Sequence, residues 1–229
     1  FAVGDQAFER RFGPEDGLGP TWARESCEGC HEGDGRGPGM VRRVAGSVTE
    51  YPAGDVLRPF ALPGHEREPL PRSVPTADRL GPALFGRGWL EAVANEAIEA
   101  GARAQAEHPE ISGRIARVPF AGAVEAQRPF AGYPAGATGL VGRFGLKARH
   151  ATVDDFVADA YLVDMGLTTP LRPEELDGSD GHGGDGDGDG GDGDGDDEDC
   201  DGGDLVPGVD VDLATVHAVA DYVRLVAIP

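Results

Sequence analysis

The chain has 229 residues, enough for one large domain or two small ones with a sizeable core. No run of roughly 18 or more apolar residues occurs, which excludes a membrane-spanning helix, and 37 Gly argue against a tight helical bundle with short loops. The formal charge of −21 argues against a nucleic-acid-binding surface, although 13 of the 41 acidic residues fall at 177–204 and the remaining 28 against 20 bases leave an ordinary −8.

In chain order, Ala7, Phe8 and Phe12 recur at helical spacing and predict a short helix over 4–12, broken by the Gly- and Pro-rich loop 13–20. A CEGCH run follows at 27–31. Residues 41–80 read mostly as loop, with extended pieces near 43–49. A long helix is expected over 84–105, with Leu84, Trp89, Leu90, Val93, Ala97 and Ile98 as its apolar stripe and Glu91, Glu96 and Glu99 facing away. A strand is expected at 113–119 within a Gly-rich stretch. A second helix should run from 153 to about 165, with Asp154 and Asp155 favouring its start and Phe156, Ala160 and Val163 or Leu162 inward. A third, over 212–227, carries Val216, Val219, Ala220, Val223 and Val226. Helices separated by long loops need something to organise around, and a large apolar cofactor would serve.

Cys27, Cys30 and His31 supply the chemistry. Residues three and four apart share one side of a helical turn. Two thiols so placed can form thioethers with both haem vinyl groups, and the adjacent imidazole can ligate the iron. Two other readings compete. Structural zinc wants four ligands, usually as two close pairs, and only Cys200 remains. A thioredoxin-like dithiol should follow a strand, whereas loop residues precede this pair.

The run GLGPTWARESCEGCHEGDGRG at 17–37 resembles the first haem segment of the bacterial di-haem oxidoreductases, relatives of the di-haem cytochrome c peroxidases. GPALFGRGWLEAV at 81–93, GRFGLKA at 142–148, DMGLT at 164–168 and the closing helix are similar to further segments of that family. Leu146 stands where the family carries Trp, Trp22 where Phe is common, and the Asp-Gly tract is foreign to it. The resemblance implies a mainly α, loop-rich, cytochrome c-like domain over 1–229, the first of two haem-bearing halves, acting in electron transfer and peroxide reduction. A second haem domain beyond Pro229 and a redox partner protein are its implied partners. The thiol chemistry in some of the family's names has no counterpart here, since no second reactive cysteine pair is present.

The iron needs a sixth ligand or an open face. Met165 is the candidate distal ligand, with a core methionine as the alternative; Met40, nine residues after His31, is the weaker choice. Arg36 and Arg143 are candidates to neutralise haem propionates, with exposed surface arginines as the alternative. His150 reads as a surface or propionate-contacting residue, and His65, His108 and His217 as ordinary loop or helix-face histidines.

Asp185, Asp187, Asp189, Gly190 and Asp196 keep an EF-hand-like calcium register, with Asp where a bidentate Glu is preferred. Without paired flanking helices, the insertion at 177–204 reads rather as a solvated surface loop that contains Cys200. Thioether attachment takes place outside the bacterial cytoplasm. A periplasmic or other extracytoplasmic location is therefore expected, with an export signal upstream of Phe1, where none is visible in the chain itself. The expected function is haem-based electron transfer within a di-haem oxidoreductase. A simple electron-carrier cytochrome and a calcium-binding surface module are the alternatives.

Overall fold

Three helices carry the core: α1 (Ala2–Glu9), α5 (Val153–Met165) and α6 (Leu213–Leu225). The computed structural model describes residues 1–35, 40–44, 56–65, 67, 74–81, 83–111, 113–120, 136–175 and 208–226. Between α1 and α5 lie β1 (Thr21–Trp22), α2 (Glu32–Gly35), β2 (Met40–Val44), β3 (Phe60–Ala61), β4 (Thr76–Leu80), α3 (Arg87–Ala92), α4 (Asn95–Gln105), β5 (Arg117–Val118) and β6 (Leu140–Val141).

Local chemistry sets the ends of the two long helices. The Thr152 Oγ1 accepts the Asp155 N–H at 3.2 Å and opens α5, and Gly166 closes it at φ 71°, a left-handed conformation that suits glycine. The Asp212 Oδ1 accepts the Thr215 N–H at 2.6 Å and opens α6. Val216, Val219, Ala220 and Val223 of α6 are buried as the apolar stripe predicts.

Aromatic rings fix α1 against this pair. Phe8 lies 5.2 Å from Tyr222, and Phe12 meets Tyr161 edge-on at 5.8 Å. Gly4 makes the approach possible, because a Cβ there would lie 2.1 Å from the Ala218 carbonyl oxygen.

The inward face of α5 is wider than the expected one. Val163 and Leu162 are buried and Phe156 packs against the core as expected, but Val157, Ala158, Tyr161 and Met165 also enter it, and Phe156, Val157, Ala160, Val163 and Met165 line an adjacent cavity. One helix serves two apolar environments, so a single stripe could not describe it.

The expected helix over 84–105 is two helices. Val93 is extended (φ −63°, ψ 124°), and α4 restarts at Asn95. The sidedness of α3 is also reversed: Trp89 is 76% exposed and Glu91 is 2% exposed. An ion pair with Arg224 of α6 holds Glu91 inward, with Nε to Oε2 at 2.6 Å, and this turns Trp89 to solvent.

The described strands form three antiparallel pairs, β1–β3, β2–β4 and β5–β6. In the longest, Met40 pairs with Leu80 and Val44 with Thr76. The extended piece expected near 43–49 thus begins earlier, at Met40, and 45–50 lie outside the described residues. Of the strand expected at 113–119, only Arg117–Val118 forms, paired with Leu140–Val141. Among the described residues no helix is long and apolar enough to cross a membrane.

Candidate haem site

Residues 27–31 form one helical turn. The Cys27 carbonyl accepts the Cys30 N–H at 3.1 Å and the His31 N–H at 3.0 Å. The Ser26 Oγ accepts the Gly29 N–H at 3.1 Å and caps the turn, and the Glu28 N–H donates to the Phe8 carbonyl at 3.3 Å and ties it to α1. Both thiols and the imidazole therefore share a face.

That face opens on a cavity of about 370 Å³, within the range of cofactor and small-molecule pockets. Cys27, Cys30, His31 and Met165 all line it. Its walls are built from Phe156, Ala160 and Val163 of α5 and Val219 and Val223 of α6, with Leu84 from the segment before α3. Gly81 lies behind His31: a Cβ at this glycine would come 3.2 Å from the imidazole Cε1 and 2.6 Å from the Cys30 carbonyl oxygen. The Phe8 ring stands 6.3 Å from the imidazole.

The lining reverses the charge balance of the chain. Arg24, Arg43, Arg79, Arg87, Arg143 and Arg149 line the cavity against only two carboxylates, Asp159 and Asp164, whereas the whole chain carries 41 acids to 20 bases. Apolar walls, two thiols, one imidazole and a cationic margin form the donor set that a large apolar cofactor with acidic side chains would use. On this donor set the residues present fit haem.

Burial and the nearby Asp164 push the thiols up, Cys27 to about 12 and Cys30 to about 11. A disulfide-exchanging dithiol needs the opposite shift, so the geometry gives that alternative no support. Among the described residues no group of three or more His, Cys, Asp or Glu side chains is disposed to hold a metal ion, which leaves a zinc site without a ligand set there.

Met165, at the end of α5, is 2% exposed and belongs to the core as well as to the cavity wall. Met40 is half exposed on β2 and does not line the cavity. The Arg143 guanidinium donates to the Val93 carbonyl at 2.6 Å, the Val141 carbonyl at 3.0 Å and the Asn95 Oδ1 at 2.9 Å.

His150 corrects the expectation of a surface residue. It is buried, and its Nε2 lies 3.1 Å from the Asp159 Oδ2, a carboxylate that α5 presents to the cavity. The His150 contact helps hold that carboxyl below the usual range against the opposing effect of burial. His65 is half-buried in a loop, His108 is exposed beside Glu110, and the half-buried His217 lies 3.9 Å from Asp154. Arg36, Cys200 and the calcium candidates Asp185, Asp187, Asp189, Gly190 and Asp196 lie outside the described residues.

Sequence reasoning missed Arg24, Arg43, Arg79, Arg87, Arg149 and Asp159 as site residues. They come from segments up to 135 positions apart and carry no spacing signal of their own. The chain matches no protein family, no curated protein and no solved structure.

Proposed function

We propose that this chain is a c-type haem domain, in which Cys27 and Cys30 would attach the haem and His31 would ligate its iron, and which moves electrons within an extracytoplasmic di-haem oxidoreductase of the peroxide-reducing class. One observation carries the reading: two thiols and an imidazole on one face of a single capped turn open on one apolar, arginine-rimmed cavity. When bound, haem supplies one-electron chemistry whose potential is set by its axial ligands, charge and burial.

The residues of the chain then have distinct tasks. Cys27 and Cys30 would hold the group covalently through two thioethers. Gly81 leaves room behind the His31 ring, and any side chain there would displace it. The apolar side chains that α5 and α6 place on the wall would lower the polarity around a bound group, which strengthens electrostatic contacts there. The second haem domain and the redox partner belong to this proposal, as does the export signal.

A simple electron carrier is the second reading, and Met165 favours it, because its thioether lines the cavity and would offer a second ligand to a bound iron. The two readings separate on spin state. The chain should be expressed in a bacterial periplasm with haem-ligation machinery and its absorption spectrum recorded. A c-type spectrum is expected, and a wild-type chain that never takes up haem overturns both. Conversion of low-spin to high-spin iron by Met165→Ala marks the carrier; high-spin iron already present in the wild type marks the peroxidase.

A further inference from the structure

We propose that Arg24 and Arg87 are the carboxylate anchors of the cavity, each holding an acidic side chain of a tetrapyrrole; this rests on the haem reading above. Most arginines that form ion pairs in this acid-rich chain do so at short range. Arg10 meets Asp16 at 2.5 Å, Arg42 meets Asp78 at 2.7 Å, and Arg117 meets Glu99 at 2.6 Å. Arg24 and Arg87 are different. Among the described residues neither has a carboxylate partner, and their guanidinium groups bond only to backbone carbonyl oxygens.

Those carbonyls orient the guanidinium without neutralising it. The Arg24 Nε donates to Gly29 at 3.2 Å, Nη1 to Ala23 at 2.7 Å and Nη2 to Met40 at 2.9 Å. Of its five N–H donors, two remain for a ligand. The Arg87 Nε and Nη2 both donate to Ala83, at 3.1 and 2.8 Å, which leaves three. Both side chains are partly buried and line the cavity that holds the cysteines and His31. Burial lowers the Arg87 pKa, with no carboxylate offsetting it. A partly buried cation with free donors, in a chain with two acids for every base, is matched by an anion from outside the chain. The guanidinium fork suits a carboxylate in a bidentate pair.

Direct evidence would come from metal-free protoporphyrin, which reports binding by its own fluorescence and needs neither iron nor turnover. Its affinity for the full chain, prepared without haem-ligation machinery, is compared with that of its dimethyl ester, which keeps the ring and loses both charges. The diacid should bind roughly tenfold tighter for each charge-assisted contact made. Arg24→Gln and Arg87→Gln should each narrow the ratio, and the Lys variants, which keep the charge but lose the fork, should fall between.

Equal binding of diacid and diester overturns the anchors while leaving the haem reading intact, and this wild-type comparison holds even where a variant folds poorly. A preference that survives both Gln variants in folded protein also overturns the assignment. Binding of neither porphyrin overturns the haem reading itself.

Discussion

The guanidinium of Arg224, near the end of α6, grips the Glu91 carboxylate of α3 in a two-point contact, Nε to Oε2 at 2.6 Å and Nη2 to Oε1 at 3.1 Å. The same arginine reaches Asp154 in the first turn of α5 and Asp221 one turn earlier in α6. Glu91 in turn accepts the Val153 N–H at 2.8 Å, so one carboxylate caps α5 while binding α6. Three helices that also bound or support the cavity are locked at this point.

Removing Glu91 leaves Arg224 paired with Asp154 and Asp221 but strips the buried Val153 N–H of its acceptor. Glu91→Ala should therefore cost about 1–3 kcal/mol in urea unfolding, the cost of one unsatisfied buried donor. Glu91→Gln, which keeps an acceptor for Val153, should cost less. A loss under about 1 kcal/mol for the alanine variant, the size of an exposed pair, would show that the network does not hold the helices.

Asp155 gives the fold a definite pH dependence. Burial pushes its carboxyl up to about 7 from 3.8, against the lowering influence of Arg172 and the Thr152 hydroxyl. Between about pH 4 and 7 the unfolded chain gives up a proton that the folded chain keeps, so this contribution is full at lower pH, is lost across that window and is flat above it. At about 1.4 kcal/mol per pKa unit the window is worth on the order of 4 kcal/mol. Asp155→Asn should remove the loss, and its stability relative to wild type should rise from pH 4 to 7 in chemical denaturation. Parallel curves for the two proteins would contradict the assignment.

Gly81→Ala separates covalent attachment from iron ligation. The added Cβ would meet the Cys30 carbonyl oxygen at 2.6 Å and the His31 ring at 3.2 Å, and overpacking of this kind costs about 1–3 kcal/mol. Covalent haem should be retained, since neither thiol is touched, while the visible spectrum shifts toward weaker His31 ligation. An unchanged spectrum together with an unchanged melting temperature would show that the turn moves freely away from Gly81.

Gly4→Ala probes the α1–α6 contact alone. A methyl group 2.1 Å from the Ala218 carbonyl oxygen and 2.7 Å from the Tyr222 Cβ cannot be accommodated without moving α1. A loss of about 1–3 kcal/mol is expected in thermal or urea unfolding. A wild-type melting temperature would mean that α1 does not dock closely.

The parts of this fold legible in the sequence are those where local signals agree. Thr152 and Asp212 cap helices whose cores follow helical spacing, and α5 and α6 lie where that spacing puts them. Within 84–105 Leu84 is buried as its place in the stripe predicts, but Trp89, Leu90 and Val93 do not mark a buried face. Glu91 is fixed by a partner 133 positions away, and no local pattern announces that contact. The site divides in the same way. Cys27, Cys30 and His31 are legible because the proposed haem attachment needs a fixed short spacing. Arg24 precedes the turn by three residues, but Arg43, Arg79, Arg87 and Arg143 become its neighbours only when strands β2 and β4 and the segments around α3 and β6 fold over the turn. The burial of His150, which overturns only the surface half of its reading, is hidden for a related reason, since its partner Asp159 lies on the cavity side of α5.

Covalent attachment is the central claim, and intact mass under denaturing conditions tests it most directly. The wild-type chain, matured with haem-ligation machinery in the periplasm, should be heavier than its sequence by the mass of one haem, and Cys27→Ala with Cys30→Ala should abolish the addition. A wild-type mass equal to that of the bare polypeptide, or an adduct that survives loss of both cysteines, would contradict it.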